Sequence, residues 1–101
     1  MSHLPHAIAF SAVTALLDAD PGMERFAGSS FRDLTRVAAS SAEMWSDIFL
    51  DNAGQVDAAI AQFIAALEAF RRTVAAGDPA QLTTLLLRAR AVRQQWGAVR
   101  T

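Results

Sequence analysis

Arg36 has the side chain best suited to chemistry in this chain. A guanidinium presents two parallel N–H donors and is the natural clamp for a carboxylate. Residues 27–52 surround it with Arg32, Asp33, Thr35, Glu43, Trp45 and Asp47, in a chain otherwise rich in alanine, leucine and valine. The plainer reading of Arg36 is a solvated side chain or a partner for Asp33, since exposed arginines are the rule. Asp33 lies three residues earlier, on the same face of a helix. There it serves either the unpaired N–H groups of a helix start or the orientation of Arg36. Trp45 reads first as a core anchor for two short helices.

A second cluster opens the chain, where Ser2, His3, Leu4, Pro5 and His6 run together. His3 and His6 are one helical turn apart and are able to reach one metal ion, but a metal site needs three or four ligands. The H-E-x-x-H pattern is absent, so no metal is expected. A histidine at a helix N-terminus is held towards neutrality by the helix dipole, which suits it to donate a hydrogen bond to a ligand. Ser2 is placed to touch the same ligand or to cap the helix.

The 101 residues suffice for one core, and the formal net charge is −1. No global field draws in nucleic acid or an anionic membrane. The arginines at 88, 90, 93 and 100 form a basic segment without the interleaved aromatics of a nucleic-acid surface, and charge of that sign is favourable at a helix C-terminus. Cysteine is absent, which excludes disulfides and thiolate chemistry and fits a cytoplasmic protein. No run of about 18 apolar residues is present to span a bilayer. Hydrophobic residues nevertheless make up 52% and mean hydropathy is +0.22. Either the core is generous or one face is covered by something else.

The elements that must position these residues all read as helix, because no stretch alternates with period two for long enough to form a strand. The expected architecture is all-α, a single bundle domain of about five helices, dimeric and without β-sheet. A first helix is expected over about residues 4–19, with Pro5 in its first turn and residues 20–22 as its stop. Ser30 is the expected cap of a short second helix, and Ser40 with Glu43 the capping box of a third. The longest helix is expected between about 52 and 77. Val56, Ile60, Phe63, Ile64, Leu67, Phe70 and Val74 form its stripe, and alanines flank the stripe and permit close approach. Asp78, Pro79 and Gln81 start the last helix, which is expected to fray near Gly97.

The SHLPH opening, the F-R-D-L-T-R-V-A run at residues 31–38 and M-W-S-D-I at 44–48 together resemble the C-terminal helical domain of prephenate dehydrogenases and their arogenate-using relatives. The resemblance covers nearly the whole chain. It implies a place in tyrosine biosynthesis, where hydride passes from the substrate ring to NAD or NADP and the ring carboxylate leaves as CO2. It implies that Arg36 holds a carboxylate of a dianionic substrate, prephenate or arogenate, with His3 at the substrate and Ser2 and Ser29 beside it. Asp33 is then the residue that orients the arginine or supports the subunit contact, and Trp45 a wall or a second layer. Arg32 reads as surface and His6 as structural. One departure is visible: the family carries glycine immediately before the motif phenylalanine, where this chain has Ser29 and Ser30 after Gly28.

The same resemblance assigns the nicotinamide cofactor and the proton-accepting histidine to an N-terminal Rossmann domain. No G-x-G-x-x-G motif following a strand occurs here, so neither a catalytic residue nor a cofactor site is expected in these residues. The chain alone is expected to be inactive, to form a homodimer through the helix at about 52–77, and to contact no nucleic acid or membrane. The alternative is a free-standing helical self-association module with no catalytic role.

Overall fold

The structure is a computed structural model that describes residues 3–19 and 28–99. Among these the chain is all-α. Five α-helices, α1 (His3–Ala19), α2 (Ser29–Thr35), α3 (Ala42–Asp51), α4 (Ala53–Ala76) and α5 (Pro79–Val99), are joined by a 3-10 turn at Arg36–Ala39, and no strand occurs. The chain divides into two compact units, Met1–Gln62 and Phe63–Thr101.

In the first unit, α1 is the hub. It packs against both α2 and the 3-10 turn. Among the described residues the buried positions of this unit are Ala9, fully buried, Trp45, 7% exposed, and Val56 in the first turns of α4. Pro5 sits in the first turn of α1 as expected, where its missing N–H costs nothing.

Two expected helix boundaries move. The cap of α2 is Gly28 rather than Ser30; it makes no side-chain cap bond, and Arg32 N–H donates to the Gly28 carbonyl oxygen at 3.1 Å. Backbone closure alone therefore starts this helix. The cap of α3 is Ser41 rather than Ser40, and its hydroxyl accepts from the Met44 N–H at 3.3 Å. Two adjacent serines offer the same chemistry, and Ser40 is used instead as the extended residue closing the 3-10 turn. The last helix runs to Val99.

The other boundaries follow the sequence. Asn52 separates α3 from α4 by leaving helical geometry while its side-chain amide donates to the Ile48 carbonyl oxygen at 2.8 Å. Gly77 ends α4 with φ +71, a left-handed conformation that a Cβ disfavours. Asp78 then caps α5, its Oδ1 accepting from the Ala80 N–H at 3.0 Å, and Pro79 occupies the first helical position.

The second unit carries many of its large apolar residues exposed. Ile64, Leu67, Phe70 and Val74 on α4, and Leu86, Leu87, Val92 and Trp96 on α5, are all exposed, Trp96 by 60%. The backbones of α4 and α5 are not among those that pack closely together. Of the two readings of the high apolar content, the structure supports a face left for something else to cover.

Candidate functional site

The site residues gather on α1, α2, the 3-10 turn and α3, all within the first unit. Thr35 is the last residue of α2. Its hydroxyl donates to the Phe31 carbonyl oxygen at 2.8 Å, a back-bond that Thr14, Thr73 and Thr84 also make within continuous helices. Its own φ of −99° and ψ of 3° lie outside the α region. The chain tightens there into the 3-10 turn, and Arg36 is its first residue. Arg36 is thus not in mid-helix, as its apolar neighbours suggest, but at a junction, with its backbone N–H donating to the Asp33 carbonyl oxygen.

That junction leaves the Arg36 side chain exposed. Among the described residues the ion pair present is Glu68 with Arg71, 3.2 Å apart, and Asp33 makes none with Arg36. Asp33 is the fifth of the seven residues of α2 and is exposed, so it does not cap the helix start. The link between the two residues runs through the backbone. Arg32 and Ser29 are exposed as well. Ser2 lies outside the described residues, while His3 opens α1 half-buried.

Trp45 is buried, and its indole is stacked on the His6 imidazole with centroids 3.6 Å apart and planes inclined by 16°. Phe10 and Phe49 meet edge-on at 6.2 Å, and Trp45 reaches Phe49 at 5.4 Å. These rings join α1 to α3, two helices whose backbones are not among those packed closely together. The expected roles of Trp45 as anchor and His6 as structural match this geometry. Sequence reasoning does not foresee the stack itself, although a signal exists: His6 and Phe10, like Trp45 and Phe49, are four residues apart and so share a helix face.

Chemically, the arrangement offers an exposed guanidinium on a turn packed against α1, with a histidine at the first turn of that helix. It can hold and orient an anion. Among the described residues no group of three or more His, Asp or Glu gathers. No strand is present among the described residues. No described helix is long and apolar enough to cross a membrane.

Comparison with known proteins decides the family. The family described as "Prephenate dehydrogenase, dimerization domain" matches residues 1–88. The chain belongs to this family. A cyclohexadienyl dehydrogenase of Zymomonas mobilis subsp. mobilis is 38% identical over 81 residues, which cover 76% of this chain and 28% of that protein. A prephenate dehydrogenase of Bacillus subtilis is 35% identical over 85 residues, covering 81% of this chain and 23% of that protein. The chain therefore spans about a quarter of the length of these relatives. The match to the prephenate dehydrogenase dimerization domain includes the SHLPH opening, Arg36 and Trp45, and it runs through α4 into α5.

Proposed function

We propose that this chain is the C-terminal domain of an NAD- or NADP-dependent prephenate or arogenate dehydrogenase of tyrosine biosynthesis, and that it binds the substrate's carboxylate and forms the dimer. The observation that carries the reading is Arg36: an exposed guanidinium, unpaired among the described residues, at a junction packed against α1 in a chain of this family. A group held by Asp33 would need to exchange partners before it could take a ligand. Arg36 needs no such exchange.

In this reading the guanidinium meets both oxygens of one carboxylate, fixing the substrate in position and in rotation. His3, at the dipole-positive end of α1, donates a hydrogen bond to the same ligand, with Ser2 and Ser29 alongside. Asp33 supports Arg36 through the backbone of α2, and Trp45 stands behind the site as a second layer. The cofactor accepts hydride in such enzymes. The described residues do not fit it, and we place it in a Rossmann domain of the parent enzyme together with the group that takes the ring proton. The site residues of this chain bind and orient.

Dimerization falls to the outward apolar faces of α4 and α5. The exposure of Leu67, Phe70, Leu87 and Trp96 supports a second copy as their cover. The division of labour is tested by mixing the purified chain with NAD+, NADP+ and prephenate. No reduced cofactor should form, while the full-length parent should form it. Turnover by the chain alone contradicts the assignment.

A further inference from the structure

Two arginines stand one turn apart at the junction that ends α2. Arg32 is the fourth residue of that helix. Arg36 opens the 3-10 turn four residues on, still with helical φ and ψ of −52° and −41°. Side chains at that spacing share a helix face, with their Cα atoms about 6 Å apart along the axis. Both arginines are exposed. The acid between them, Asp33, pairs with neither, since the ion pair among the described residues is Glu68 with Arg71.

Like charges four residues apart on a helix repel, and no carboxylate among the described residues offsets these two. An anion with two carboxylates meets both guanidiniums and removes the repulsion. A clamp made by Arg36 alone leaves the second charge of a dianionic substrate unmatched, and a carboxylate taken out of water without a partner is costly. Resting on the reading of Arg36 as the substrate clamp, we propose that Arg32 binds the second carboxylate of the same dianion. Arg36 holds the side-chain carboxylate, remote from the reacting carbon. Arg32 holds the ring carboxylate, the group that leaves as CO2. The charge that Arg32 meets disperses as the carbon–carbon bond breaks, so its contact favours bound substrate and not the transition state. Once CO2 has left, Arg32 has nothing to hold, and the product is bound by one arginine.

The loss of one carboxylate in the reaction separates the two arginines. Steady-state kinetics of the full-length enzyme with prephenate are set beside inhibition by the decarboxylated product, which keeps the side-chain carboxylate alone. Arg32→Ala should raise KM for prephenate by roughly tenfold, the lower end of what a hydrogen bond to a charged group contributes. It should not lower kcat, because the contact is weaker in the transition state than in the ground state. The inhibition constant of the product should be unchanged in Arg32→Ala. Arg36→Ala should weaken prephenate and product alike.

A prephenate KM unchanged in Arg32→Ala, beside one raised in Arg36→Ala, overturns the second contact and leaves the first. A loss in Arg32→Ala that product inhibition shares in full also overturns it, since Arg32 would then be acting on the carboxylate that both ligands carry. So does a lowered kcat with KM intact. Failure of the underlying reading looks different. In that case Arg36→Ala leaves KM unchanged, and the paired site falls with its first member.

Discussion

Arg36 and Trp45 lie nine residues apart in sequence and have opposite environments. The first is exposed at a backbone junction and the second is buried under a stacked imidazole. Their substitutions should therefore separate cleanly. Trp45→Ala removes the largest buried side chain among the described residues of the first unit and should cost about 3–5 kcal/mol in chemical denaturation. Arg36→Ala, Asp33→Ala and Arg32→Ala remove exposed side chains with no ion pair among the described residues, and each should stay within about 0.5 kcal/mol of wild type. A loss of about 2 kcal/mol or more, the cost of leaving a buried charge unpaired, shared by Arg36→Ala and Asp33→Ala would indicate a structural pair. Arg36 is legible as a clamp from its chemistry alone. Its place at a 3-10 junction is not, because Thr35 leaves the α region while making the same back-bond that Thr14, Thr73 and Thr84 make inside continuous helices, so residue type alone does not mark the break.

At the scale of elements, the boundaries that sequence locates best are those with a single possible solution. Asp78 is followed by proline and preceded by glycine, so cap, first turn and stop fall in one register, and α5 begins where that register places it. Ser40 and Ser41 offer two equivalent caps, and only the three-dimensional closure of the preceding turn selects between them. Asp78→Ala should destabilise the second unit by about 1 kcal/mol through loss of its cap bond. Gly77→Ala should cost about 1–2 kcal/mol. No atom lies within 4 Å of the added Cβ, so that cost is backbone strain rather than a clash. Thermal melts of both variants check these values, and a Gly77→Ala protein as stable as wild type would show that this turn relaxes to negative φ.

At the scale of the whole chain, an apolar share of 52% goes with few buried residues among those described. Composition alone signals a surplus of apolar surface, but it does not say which face stays open, since the α4 stripe looks the same whether it packs inward or outward. The chain should be a dimer or higher oligomer at micromolar concentration, with an interface on the order of 2,000 Å² or more in total. Sedimentation equilibrium showing only monomer would remove that claim. The central claim is that this domain carries the substrate's carboxylate clamp, and steady-state kinetics of Arg36→Ala in the full-length enzyme test it most directly. Binding of prephenate should weaken by roughly 2–5 kcal/mol. Most of that loss should appear in KM, because a contact remote from the reacting carbon is similar in ground and transition states. Arg36→Lys should recover little of it, since an ammonium lacks the two-pronged contact. An Arg36→Ala enzyme that melts normally and keeps the wild-type KM for prephenate would contradict the account.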